Sequence, residues 1–147
     1  MHRRNIIGAT LAAVGSALAL SGKKAQAHTL DNQKVVYHLA DLDKVGFVLG
    51  NIRHHFDGVG GPKNITIALV VHGPALKAFQ STQANPDMTK RVGEFSKAGL
   101  EMHACGNTMK GMNVTLKDLL PGFVNADRGG VVRIAELQQQ GYLYLRP

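Results

Sequence analysis

The single cysteine of this 147-residue chain, Cys105, stands in the stretch His103-Ala104-Cys105-Gly106-Asn107-Thr108. An apolar run, Leu100 to Ala104, gives way there to residues that open helices. Gly106 permits a tight turn, and Asn107 or Thr108 can cap a helix starting just beyond it. A thiol at such a junction faces unpaired N–H groups and the positive end of a helix dipole. Both favour the thiolate, which is the reactive form. The opposing tendency is burial, because a free cysteine also serves as a small core hydrophobe. If residues 100–104 are a strand, His103 shares the face of Cys105, two residues away. His72 and His38 also close apolar runs, in Val70-Val71-His72-Gly73-Pro74 and Val35-Val36-Tyr37-His38-Leu39. The candidate constellation is therefore a nucleophilic sulfur at Cys105, the Gly106, Asn107 and Thr108 amides that can hold an anion on it, and the imidazoles of His103, His72 and His38.

Other chemistries fit less well. His72, His103 and Cys105 form a conceivable copper set, but no histidine pair has i,i+4 spacing and no His- or Met-rich tract is present. His28 would present an amino-terminal imidazole if the chain were cleaved after Ala27. The expectation is no resident metal and no cofactor. His54 and His55 point about 100° apart on a helix, which predicts a solvated pair. Gly58-Val59-Gly60-Gly61 follows a helical pattern rather than a strand, so it fails as a dinucleotide-binding turn. Neither a nucleophilic serine elbow nor a spaced carboxylate pair occurs.

The elements around these residues alternate. Lys34–Leu39 and Asn64–Val71 read as buried strands, being continuous β-branched and aromatic runs. Between them Leu42, Val45, Leu49, Ile52 and Phe56 recur at helical steps. A short helix is expected over Ala75–Gln80. A second helix starts at Pro86 or Asp87, with Met88, Val92 and Phe95 on one face and Gly99 as its stop. Leu100–Ala104 is the third strand. Thr115–Asp118 has capping-box spacing. Phe123–Ala126 is a short fourth strand. Gly130–Gln140 is a helix with Val131, Ile134 and Leu137 inward, and Tyr142–Leu145 is a fifth strand. This alternation predicts an α/β protein with a mainly parallel five-stranded sheet covered on both faces. Such sheets carry their chemistry at the C-terminal strand ends, where His38, His72, Cys105 and Asn125 all fall.

Residues 1–27 carry an export pattern: Arg3-Arg4, an apolar run from Ile6 to Leu20, and Ala25-Gln26-Ala27 as a cleavage site. The paired arginines suggest the twin-arginine route. The run is short for a membrane span, so no stable anchor is expected. The mature domain is then 28–147, exported or periplasmic. The whole chain has 17 basic and 10 acidic residues, net +7. Four basic residues and no acids lie in residues 1–27, leaving 13 against 10, or +3. No basic run remains to suggest nucleic-acid binding. A lone thiol in an oxidising compartment cannot form an internal disulfide, and is a reactive group, an intermolecular bridge or a liability.

The chain resembles the DsrE/DsrF-like sulfur-relay family, specifically its small exported single-domain members. The likeness is carried by Val35-Val36-Tyr37-His38-Leu39, His72-Gly73-Pro74-Ala75-Leu76, Ala104-Cys105-Gly106-Asn107-Thr108, Asp118-Leu119-Leu120-Pro121-Gly122 and the run from Ala135 to Pro147. It implies a three-layer α/β/α sandwich, assembly into trimers or hexamers, and a cysteine that accepts sulfur as a persulfide and passes it on. Cys105 matches that cysteine, although Ala-Cys-Gly-Asn-Thr differs from the cysteine loop of the cytoplasmic carriers. The expected function is an exported sulfur carrier or sulfurtransferase-like protein working between a sulfur donor and an acceptor thiol. The rival is a non-catalytic oligomeric binding protein that takes a small ligand or metal at the same sheet edge.

Overall fold

All five strands run parallel, in the order β4-β3-β2-β1-β5. The computed structural model describes residues 33–147. The export segment expected over residues 1–27, and His28, lie outside the described residues. The strands are β1 (Gln33–Leu39), β2 (Ile65–Val71), β3 (Glu101–Cys105), β4 (Phe123–Ala126) and β5 (Leu143–Leu145). The helices are α1 (Val45–Gly58), α2 (Pro86–Lys97), α3 (Gly106–Met112) and α4 (Gly130–Gln139). Short 3-10 turns cover Leu42–Lys44, Pro62–Asn64, Gly73–Phe79 and Leu116–Asp118. No helix among the described residues is long and apolar enough to cross a membrane.

The order of strands dictates where the helices go. From β1 to β4 the chain steps one way across the sheet. Right-handed crossovers therefore put α1, the 3-10 turn after β2, α2 and α3 on one face. Their apolar residues, among them Leu49, Ile52, Leu76, Phe79, Phe95 and Met109, pack on Val35, Ile67, Leu69 and Met102 in the larger core. The step from β4 to β5 runs back past the whole sheet. The same handedness then carries α4 across the opposite face, where Ile134 and Leu137 meet Val36, Ala68, Val70 and Tyr142. One ten-residue helix covers the middle of that face, and Val124 and Tyr144 at its margins stay exposed.

Several local expectations are corrected. The first helix begins as a 3-10 turn, and Leu42 is left 47% exposed. Residues 73–79 form 3-10 rather than α-helix, which lets Leu120 N–H reach the Phe79 carbonyl at 2.8 Å. Asn85 caps α2, its side chain accepting from the Met88 N–H at 2.8 Å. Val131 is not inward but 67% exposed, because the covered stripe of α4 runs through Gly130, Ile134 and Leu137. His55 is not merely solvated: its Nδ1 meets the Tyr37 hydroxyl at 2.9 Å, while His54 is exposed. The Thr115–Asp118 capping box is present, with Asp118 Oδ2 accepting from the Thr115 N–H at 2.7 Å.

Candidate functional site

Parity along the strands decides which side chains share a face. Val35, Tyr37 and Leu39 of β1 point into the larger core, so Val36 and His38 point to the α4 side. On the same parity Val70 and His72 follow in β2 and beyond it, and His103 and Cys105 in β3. The pairing Leu39↔Val71 and Val71↔Ala104 brings the ends of these strands level. His38, His72 and Cys105 are thus brought to one edge, beneath the start of α4. His103 sits one step back toward the sheet interior.

Cys105 itself is the N-cap of α3, so the helix starts two or three residues earlier than a cap at Asn107 or Thr108 would set it. Gly106 makes this possible. A Cβ there would lie 3.0 Å from both the Ala126 carbonyl oxygen and Asn125 Oδ1 of the adjoining strand. Only glycine lets the helix turn start directly against β4. A second helix arrives from the other side. A Cβ on Gly130 would lie 3.2 Å from His72 Cβ and 3.3 Å from Cys105 Cβ, which means the first turn of α4 rests on these two residues. The sulfur is therefore flanked by the N-terminal ends of α3 and α4.

Two effects compete at that sulfur. Burial, with Cys105 only 5% exposed, pushes the thiol pKa up. Hydrogen bonds from the Thr108 hydroxyl and from the backbone N–H groups of Thr108, Gly130 and Asn107 pull it down, and they win: the pKa lies below the ordinary thiol value. Thr108 is set for this role. Its Oγ1 accepts the Gly73 N–H at 2.9 Å, which leaves its own hydroxyl hydrogen free for the sulfur. Cys105 is thus both buried and anion-stabilising, so the two sequence-level readings of it are not exclusive.

The histidines do not supply positive charge. His72 Nε2 lies 2.5 Å from His38 Nε2, so one ring donates to the other's lone pair. His38 Nδ1 is 2.7 Å from the Tyr144 hydroxyl. Burial first, and then His72 and Arg146, push the His38 pKa down to about 4, against a smaller upward pull from Asp41. Burial, followed by Arg146, also lowers His72. His103, 6% exposed, is lowered by burial and by Arg133 against the pull of Glu101. All three are held below the ordinary imidazole value, so none supplies a cation to the thiolate at pH 7. The sulfur is stabilised by dipoles and hydrogen bonds, not by imidazolium.

Three participants are not evident from the sequence. Gly130 donates to the sulfur, Tyr144 holds His38, and Arg133 lies beside His103. The glycine pair Gly129-Gly130 at a helix start is the one signal for the first. The other two depend on how α4 and β5 cross the sheet. Asn125 and Asp127, at the end of β4, hydrogen-bond to each other as neighbours of the site. Among the described residues, no three His, Cys, Asp or Glu side chains are grouped to hold a metal ion.

Comparison with known proteins gives the same outline. A family model described as the DsrE/DsrF-like family matches residues 15–147. Among solved structures the chain is similar to MTH1491 from Methanobacterium thermoautotrophicum, titled a protein of unknown function. The two are 24% identical with a TM-score of 0.69, over 79% of this chain and 100% of that one. It is also similar to the ychN protein from E. coli, at 13% identity and a TM-score of 0.57, over 78% of this chain and 99% of that one. At these identities the structures bear on the fold alone. No curated protein matches the chain.

Proposed function

The chain belongs to the DsrE/DsrF-like family, and from that premise we propose that it is a sulfur carrier whose acceptor is Cys105. The observation that carries this reading is the meeting of two helix N-termini on one sulfur, with the Thr108 hydroxyl as a third donor. A persulfide, like a thiolate, is an anion at neutral pH and is held by the same groups.

The step balances without an oxidant. The Cys105 thiolate attacks the terminal sulfur of a donor persulfide, R–S–SH. A bond forms between Sγ and that sulfur, the donor's S–S bond breaks, and the departing R–S⁻ takes the proton from the donor S–H. Cys105 is left as Cys–S–S⁻. A partner thiolate then attacks the outer sulfur and returns Cys105 to its starting state, as in thiol–disulfide exchange. Intact-mass measurement after exposure to inorganic polysulfide tests the step. One added sulfur atom on the native chain, removed by a reducing thiol and missing in Cys105→Ser, is expected. An unmodified Cys105 under conditions that modify the unfolded chain would overturn the proposal.

Export and assembly belong to the same proposal. The Arg3-Arg4, apolar and Ala25-Gln26-Ala27 series supports a cleaved leader, and amino-terminal sequencing of the mature protein is the check. Assembly is supported by the edge strand β5, whose Leu143, Tyr144 and Leu145 are 53%, 41% and 38% exposed. A sheet edge carrying exposed apolar side chains suits contact with further copies. Light scattering that gives a multiple of the mature mass is expected, and a monomer at micromolar concentration would contradict it.

A further inference from the structure

Sulfur transfer through Cys105 leaves His103 unused, yet His103 is the one buried polar side chain in the core of the described residues. Its Nε2 has no hydrogen-bond partner. Glu101 Oε2 is 3.9 Å away, too far for a direct bond, and that oxygen already accepts the Tyr142 hydroxyl at 3.1 Å. A buried polar atom without a partner loses its hydration with nothing in return and calls for an explanation. Arg133 Nε is a second such atom. Both residues line the same cleft of about 240 Å³, together with Asn125, Asp127, Arg128 and Glu136. It lies on the sparsely covered face, between β4 and α4.

The lining limits what the cleft can take. Its two arginines are balanced in charge by Asp127 and Glu136, and Glu136 accepts from both, from Arg128 at 2.9 Å and from Arg133 at 3.4 Å. A simple anion gains little where the charges cancel. An apolar guest would leave the His103 and Arg133 nitrogens unmatched. A small zwitterion satisfies both conditions, with a carboxylate for the two nitrogens and an ammonium for Glu136 or Asp127.

Position adds the rest. Ala126, in the cleft wall, is the register partner of Cys105. Gly129, also in the wall, precedes the Gly130 that rests on Cys105. His103 and Cys105 face the same way, two strand residues or ~6.6 Å apart. That is close to the reach of a cysteine-sized persulfide from its carboxylate to its terminal sulfur.

We infer that this cleft binds the body of an α-amino-acid persulfide and presents its terminal sulfur to Cys105. The inference rests on the sulfur-acceptor reading and names the donor class. The neutral His103 donates from Nε2, and Arg133 from Nε, to the α-carboxylate. The bonds made and broken are those of the step already given, and the amino-acid thiol is the leaving group R–S⁻.

The test uses the Cys105→Ser chain, which cannot react, and S-methyl-L-cysteine as the probe, followed by calorimetry and by the chemical shifts of the His103 ring. Saturable binding that moves the His103 signals is expected. Arg133→Gln, at a partly exposed position, should weaken it at least tenfold, and a methylthio amine lacking the carboxylate should bind at least tenfold more weakly. Binding unchanged by Arg133→Gln, or saturation without movement of His103, overturns the inference. Absence of binding to the Cys105→Ser chain, beside a wild-type Cys105 that still takes sulfur from inorganic polysulfide, overturns it too, while leaving the acceptor reading intact. Binding with the expected losses, beside a wild-type Cys105 that takes sulfur from no donor, supports the cleft and removes the acceptor reading.

Discussion

Replacing Thr108 by valine removes one hydroxyl while nearly keeping the side chain's shape. The Thr108 hydroxyl is the largest of the favourable contributions that lower the Cys105 pKa. A hydrogen bond to a charged group contributes about 1.5–3 kcal/mol. Losing it at 1.4 kcal/mol per factor of ten cuts the thiolate fraction at mildly acidic pH by roughly 10- to 100-fold. The observed rate falls less, because a thiolate of higher basicity is also a better nucleophile. With a Brønsted slope of about 0.4–0.5, roughly half of the loss on a logarithmic scale returns, leaving a net drop of about three- to twelvefold. Above the titration, where both proteins are fully ionised, the same slope makes the variant faster by about three- to tenfold. The assay is the rate of iodoacetamide alkylation from pH 5 to 10 on folded protein. The two pH profiles should cross. Thr108→Ser, which keeps the hydroxyl, should restore the wild-type profile. A drop of equal size at every pH would mean that valine blocks access or shifts α3 through the lost Gly73 contact, and would refute the electrostatic argument.

The same geometry fixes three further outcomes. Gly130→Ala places a Cβ 3.2 and 3.3 Å from Cβ atoms fixed to the sheet, so overpacking should destabilise the fold by about 1–3 kcal/mol in urea denaturation, and an unchanged midpoint would show that α4 is free to shift. The His38 pKa is depressed to about 4 from 6.5, so the unfolded chain binds the extra proton between these values; the stability it contributes is full above pH 6.5 and is lost as pH falls toward 4. Denaturation midpoints should drop over that window, less so in His38→Gln, and equal slopes for both proteins would assign the loss to other groups. Tyr144→Phe removes the hydroxyl that holds His38 Nδ1 and should move the titration of the His38 ring, read by NMR; an unmoved titration would show that this contact does not tune the pair.

How much of this is legible in the sequence depends on the distance over which each feature is decided. The strands and their order of use are readable because β-branched runs such as Ile65–Val71 report their own burial, and parity then places His38, His72 and Cys105 on one face. The cap on α3 reads two or three residues late, because its start is set by the close approach of Gly106 to Ala126 rather than by the polarity of Asn107. The inward position expected for Val131 fails for a similar reason. Helical periodicity fixes a stripe, and the seating of Gly130 on His72 and Cys105 decides which side of that stripe is covered.

The charge states are the least legible, and they decide the chemistry. His103 and Cys105 sit two residues apart on one strand face, both more than nine-tenths buried, and burial disfavours the charged form of each. They end with opposite fates. Cys105 lies where two helices begin, so the Thr108 hydroxyl and backbone N–H groups stand in for the lost water and the thiol pKa falls below its ordinary value. His103 lies one step back, beside the Arg133 cation and out of direct bonding range of the Glu101 carboxylate, so the pull of Glu101 does not offset the desolvation of a cation and the pKa falls. Part of the difference comes from α4. Its first residue, Gly130, donates to the sulfur beside the donors from α3, and Arg133, three residues on, stands beside the imidazole. This one crossover helix therefore acts on both the nucleophile and the cleft residue next to it, and a change that shifted α4 along the sheet would be felt at both sites at once.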